Sequence, residues 1–152
     1  MAEIHVSGER SIGATAATVY GLITDYRQHH PKFLPPNFSE YEVQEGGVGA
    51  GTVIQFRLKA GGRDRMYRVE VTEPEPGRVL QEADTLSTAV TTFTVTPEDG
   101  SSRVRIDTSW HGAGGVGGFF ERTFAPRVLR SLYADELERL DAYARSQAAQ
   151  SS

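Results

Sequence analysis

Apolar and polar positions along the chain follow two periods, one of two residues and one of about 3.6. Glu3 to Ile12 alternates, with Ile4, Val6 and Ile12 on one side, as a half-buried strand would. Arg10 falls on that same side. Ala14 to Asp25 then changes to helical spacing through Ala16, Val19, Tyr20 and Ile23, with Thr15 as its N-cap. A short second helix or turn is expected over Tyr26–His30, stopped by Pro31. The stretch KFLPPNF contains Pro35 and Pro36 and fits neither helix nor central strand. It reads as a loop whose Phe33, Leu34 and Phe38 dip toward the body. Six strand-like runs follow: Ser39–Glu45, Thr52–Ala60, Asp64–Thr72, Arg78–Ala83, Thr88–Thr96 and Arg103–Trp110. Their separators (GGVGAG, AGGR, EPEPG, DTLS and PEDGS) are short and turn-rich, which implies antiparallel hairpins in a meander.

The helical period returns at the C-terminal end. Leu129, Tyr133, Leu137, Leu140 and Ala144 form one apolar face, and Arg127, Ser131, Asp135 and Glu138 the opposite one. Pro126 suits the first position of a helix ending near Ser146. It also fits a kink in a longer helix beginning near Gly118, which would let the second apolar row of Phe120, Phe124 and Val128 face inward. Residues 147–152 are small and polar and are expected to form a disordered tail.

The order of elements is strand, two short helices, six strands, long helix. This predicts one α+β domain over residues 1–146, with a curved seven-stranded antiparallel sheet wrapped around the long C-terminal helix. Alternation places Ile54, Phe56 and Leu58 on one face of a strand, and Tyr67, Val69 and Val71 on one face of the next. Thr91, Phe93 and Val95 oppose Val104, Ile106, Thr108 and Trp110 in the same way.

Composition narrows the function classes. The 152 residues carry 20 acids against 16 bases, a formal charge of −4 with no basic face, so nucleic acid is not the expected partner. No cysteine is present, which excludes disulfides, a thiolate nucleophile and thiolate metal ligands. The opening MAEIHVSGER is charged and alternating, unlike a signal peptide or a membrane span, and a cytoplasmic protein is expected.

Several motifs occur in a telling order. They are Val19-Tyr20 and Ile23-Thr24-Asp25 in the first helix, the GGVGAGT turn at Gly46–Thr52, and EPEPGRVL at Glu73–Leu80. The strand end Thr108–Trp110 with its following glycines, and the closing Leu129-Arg130 and Glu136–Leu140 helix, complete the series. In this order the chain resembles the START-like superfamily, also called SRPBCC or Bet v 1-like, and within it the bacterial polyketide cyclase/dehydrase-type branch. The resemblance implies a helix-grip fold whose sheet and long helix enclose an elongated cavity for an apolar small molecule. Superfamily members include lipid and hormone binders, cyclases, oxygenase subunits and chaperone co-factors, so the fold leaves the activity open.

Residues on candidate inward faces supply linings for such a cavity: Phe56, Tyr67, Phe93, Thr108, Trp110, Phe120 and Phe124. The same aromatic side chains could serve only as core packing. Trp110 ends its strand just before HGAGGVGG, where a cavity mouth is expected, with Gly112–Gly118 as a flexible gate. Two residues are candidates for acid–base chemistry, Glu82 and His30. Glu82 shares a strand face with Leu80: if Leu80 points inward, Glu82 is a carboxylate at the cavity wall, and otherwise it is an edge charge. His30 titrates near neutrality, but adjacent His29 and His30 point about 100° apart and lack a third ligand, so no metal is expected. Arg63, Arg65 and Arg68, interleaved with Asp64 and Glu70, read as an outer polar face. The glycine-rich turns lack the sequence of a phosphate-binding loop, and no cofactor is implied.

The leading expectation is a protein that binds a hydrophobic, lipid-like or polyketide-like small molecule in an internal cavity. A polyketide aromatase/cyclase or dehydratase acting in the same cavity is the alternative, and a protein-interaction module the third reading. A homodimer is left open.

Overall fold

The computed structural model describes residues 3–112 and 115–151, apart from the side chains of residues 115–124 and of Ser151. Seven strands form one antiparallel sheet in the order β1-β7-β6-β5-β4-β3-β2. They are β1 (Glu3–Ile12), β2 (Phe38–Glu45), β3 (Val53–Ala60), β4 (Arg63–Glu75), β5 (Val79–Asp84), β6 (Val90–Glu98) and β7 (Ser101–His111). Strands β2 to β7 follow one another as hairpins, and β1 closes the series by pairing with β7. This is the α+β helix-grip arrangement that the alternation and the short turns predict. Register shifts in β2 between Ser39 and Glu42 and between Val43 and Glu45 mark irregular pairing at the β2 edge, where bulges increase bend and twist.

Helix α1 (Ala16–Thr24) starts as its sequence dictates, with the Thr15 side chain accepting the Thr18 N–H at 3.3 Å. A turn occupies Tyr26–His29, as expected, and the second short helix follows it. It is a 3₁₀ helix over His30–Phe33, and Pro31 sits in its first turn instead of ending it. Proline's fixed φ suits that position and its missing N–H leaves nothing unpaired there. Phe33 and Tyr26 from this corner are fully buried.

Helix α2 (Gly115–Ser151) contains Pro126 in its interior, so the longer helix, and not one starting at Pro126, is the one formed. It also remains helical through the polar segment beyond Ser146, as far as Ser151. Tyr133, Leu137, Leu140 and Ala144 are buried in the main core, with Leu129 packed against it. Their contacts are with the concave face of the sheet, where Ile54, Val69, Val71, Leu80, Phe93, Val95, Val104 and Ile106 are buried. Two features fix the helix in place. Asp141 accepts the Gly13 N–H at 2.8 Å and pairs with Arg10, which explains the arginine on an otherwise apolar strand side. At Gly8 a side chain would press on Tyr133 Cβ at 3.3 Å, so a bare backbone lets β1 approach the helix closely.

Candidate functional site

Between the concave sheet and α2 lies a cavity of about 560 Å³. Phe56, Tyr67, Phe93, Thr108 and Trp110, nominated from the alternation, all line it. The side chains of Phe120 and Phe124 lie outside the described residues, as do Ala113 and Gly114 of the expected gate; Gly115 already begins α2. Phe56 stacks on Tyr67 with ring centroids 5.4 Å apart, and Phe38 tilts against Phe56 at 5.3 Å.

Arg65 corrects the outer-face reading of the β4 arginines. It has the parity of Tyr67, Val69 and Val71, lines the cavity, and lies 4.3 Å above the Tyr67 ring. Its guanidinium donates to Asp84 at 2.7 Å, where the carboxylate also accepts the Arg68 N–H at 3.1 Å and the Ser87 hydroxyl at 2.7 Å. Arg63, on the same side of the strand, also borders the cavity.

The polar end of the cavity is built from β5, the α1–β2 connection and α2. Strand register settles the parity of β5: Leu80 pairs with Phe93 and is fully buried, which turns Glu82 inward as well. Glu82 stands in a row running across the sheet through Val71, Glu82, Thr91, Thr108 and Val6. Tyr26 donates its hydroxyl to Glu82 Oε2 at 2.6 Å. The His30 ring stacks on Tyr26 with centroids 4.4 Å apart, and its Nδ1 lies 2.7 Å from the Ile23 carbonyl oxygen. A carbonyl only accepts, so Nδ1 carries the proton and Nε2 keeps its lone pair. Nε2 lies 3.8 Å from Glu82 Oε2, beyond hydrogen-bonding distance. Burial depresses the His30 pKa to about 4, so near neutral pH this is a neutral imidazole beside a carboxyl and not an ion pair.

From the helix, Glu136 is 4 % exposed and lines the same cavity. Burial, and then the charge of Glu82, push its pKa to about 8. Burial pushes Glu82 to about 7, against the opposing hydrogen bond from Tyr26. Tyr133 bonds Thr108, which bonds Thr91 at 2.8 Å, extending the polar row from sheet to helix. Two carboxyls that exchange protons near neutrality, beside a neutral imidazole, can perform acid–base chemistry on a bound molecule.

A family model described as polyketide cyclase / dehydrase and lipid transport matches residues 3–145. The chain belongs to this family. Similar solved structures cover nearly its whole length. KanY protein is 38 % identical with a TM-score of 0.84, the match covering 95 % of this chain and 99 % of that one. TTHA0849 from Thermus thermophilus is 20 % identical with a TM-score of 0.80, covering 94 % and 98 %. The Zhui aromatase/cyclase from a Streptomyces species is 15 % identical with a TM-score of 0.77, covering 97 % and 96 %, a likeness of fold alone. Among curated proteins, none matches this chain in sequence.

In this polyketide cyclase/dehydrase-family chain the sequence reading overlooked Glu136, Tyr26 and Tyr133 as polar groups of the site. Glu136 carried a legible signal, since it falls three residues after Tyr133 and four before Leu140, within the apolar stripe of the helix. Tyr26 carried none. The remaining histidines lie elsewhere or at the rim: His29 contacts the Tyr143 hydroxyl at 2.6 Å, His5 contacts Asp107 at 3.3 Å, and His111 borders the cavity. Among the described residues, no three His, Cys, Asp or Glu side chains are grouped to hold a metal ion, and no helix is long and apolar enough to cross a membrane.

Proposed function

We propose that this protein binds a hydrophobic small molecule in the cavity, with the polar end of that molecule meeting Glu82, His30 and Glu136. The carrying observation is a cavity of about 560 Å³ with largely apolar walls and two carboxyls at one end, Glu136 buried and the Glu82 side chain 11 % exposed. Trp110 is the only tryptophan and lines the cavity, so its emission reports on occupancy. Apolar aromatic or acyl ligands at micromolar concentration should shift or quench it. By calorimetry, Trp110→Ala should weaken binding by more than it lowers stability. Unchanged emission with every such ligand, together with a variant that unfolds readily, would make Trp110 ordinary core and remove the reading.

A second reading, catalysis on a polyketide-like substrate as in an aromatase/cyclase or dehydratase, is favoured by the two carboxyls that titrate near neutrality. In a dehydration, an ionised carboxylate would take the proton alpha to a carbonyl. The neighbouring carboxylic acid would protonate the departing hydroxyl, which leaves as water as the carbon–carbon double bond forms. Glu82→Gln should then reduce turnover while leaving ligand affinity largely intact, because shape is kept and proton transfer is lost. Unaltered turnover in that variant would exclude Glu82 from the chemistry.

A further inference from the structure

The polar end of the cavity offers many hydrogen-bond acceptors and few donors. Glu136 directs its carboxyl into the cavity without a hydrogen-bond partner among the described residues. Glu82 accepts one hydrogen bond, through Oε2 from Tyr26. His30 has committed its one N–H to the Ile23 carbonyl and presents a lone pair on Nε2. The donors nearby are mostly committed. Tyr26 serves Glu82, Tyr41 donates to the Tyr26 carbonyl oxygen, and the hydroxyls of Thr91, Thr108 and Tyr133 bond to one another. The cation that lines the cavity wall nearest the aromatic rings, Arg65, is held by Asp84. Phe93, which lines the cavity, stands edge-on to His30 with ring centroids 5.8 Å apart.

We infer that this end receives a basic nitrogen: the ligand is a hydrophobic amine whose ammonium group donates to Glu136, Glu82 and His30 Nε2, while its apolar part fills the rest of the cavity. The inference rests on the cavity-binding reading and specifies its ligand class. An ammonium supplies the donors that these acceptors lack, and it compensates buried carboxylates that would otherwise hold their protons. A carboxylate or phosphate ligand would be repelled by the same groups. A neutral carbonyl compound would need one of the carboxyls protonated to serve as donor. Among the described residues, the groups at this end (Glu82 on β5, Thr91 on β6, Thr108 on β7, Tyr133 and Glu136 on α2 with Asp135 beside it, and His30, Tyr26 and Tyr41) include no positive charge near neutral pH; the cavity-lining cations Arg63 and Arg65 belong to β4, and Arg65 is paired with Asp84.

The two modes differ in their response to pH. Ammonium binding needs ionised carboxyls, so affinity should rise as pH passes through about 7 to about 8, the range in which Glu82 and Glu136 lose their protons. Binding of a carbonyl to a carboxylic acid should weaken over that same range. Octylamine, octanol and octanoate, titrated calorimetrically into the wild-type chain with Trp110 emission in parallel, separate these cases. Octylamine should bind at least about tenfold more tightly than octanol near pH 8, and about tenfold more tightly there than near pH 6, with release of protons. Glu136→Gln should abolish the preference for octylamine over octanol near pH 8. Equal or tighter binding of octanol at the higher pH, or amine affinity that falls as pH rises, would overturn the amine assignment and leave the cavity reading standing. Failure of all three to bind would overturn both. The wild-type comparison decides the question even where the variant does not fold.

Discussion

Replacing Glu136 by glutamine should make the protein more stable, and the gain should appear only above mildly acidic pH. Glu136 is 4 % exposed, and its carboxyl has no hydrogen-bond partner among the described residues. Its ordinary pKa of 4.5 rises to about 8 in the fold. The folded state therefore keeps a proton that the unfolded chain has lost, and stability falls as pH climbs from about 4.5 toward about 8. At about 1.4 kcal/mol per pH unit the full difference is about 4–5 kcal/mol, an upper value because Glu82 and Glu136 share their repulsion. Even half of that is a large part of the ~5–15 kcal/mol that holds an ordinary domain together. Glutamine keeps the shape and cannot ionise. Urea unfolding of both proteins near pH 5 and near pH 8.5 should give similar stabilities at the lower value and a gap of at least about 2 kcal/mol at the upper one. His30 acts in the opposite sense: its pKa falls from 6.5 to about 4, so its contribution is complete above about 6.5 and is lost as pH drops through about 4. That contribution is common to both proteins and cancels in their difference. Parallel pH dependence in the two would refute the reasoning, since Glu136 would then ionise as freely in the fold as outside it.

Leu140 is fully buried under the sheet, and Leu140→Ala should cost about 2–5 kcal/mol in urea unfolding; a loss under about 1 kcal/mol would mean α2 does not seal the concave face. Gly61 and Gly62 both have positive φ, but a Cβ at Gly61 would lie 2.6 Å from Val128 Cγ2, whereas at Gly62 it meets nothing within 4 Å. Gly62→Ala should therefore lose about 1 kcal/mol through backbone strain alone, and Gly61→Ala clearly more, with equal melting points showing that Val128 gives way.

Local periodicity carried most of the fold. The seven strands and the apolar face of α2 depend on spacings of two and of three or four, which neighbouring residues declare without help from the rest of the chain. What escaped depended on contacts between distant segments. VLQEAD has apolar side chains at both parities, so Val79, Leu80 and Ala83 could not say which way Glu82 points; pairing of Leu80 with Phe93 did. Pro31 carried a signal for a break and an equal one for a first helical turn, and burial of the neighbouring His30 and Phe33 favoured the second. Arg65 was legible but misread: its charge suggested solvent, while its alternation with Tyr67 and Val69 already placed it on the inner face, where Asp84 and an aromatic ring satisfy it.

An apolar stripe would have packed more stably with Leu or Met at position 136, because the buried carboxyl there must either keep its proton or lose stability. Arg65 and Asp84 cost little, being bonded to each other and to the β5–β6 turn. Glu136 has no such compensation, and His30 holds its free lone pair toward Glu82 at a distance too long for a bond. Among the described residues, Glu136, His30 Nε2 and the second oxygen of Glu82 keep acceptor capacity that no protein donor uses, and they occur together at one end of the cavity. Groups left with unused hydrogen-bonding capacity around a space are those a ligand can complete, so the binding energy that recovers their cost belongs to a molecule bearing donors at one end and hydrocarbon along the rest.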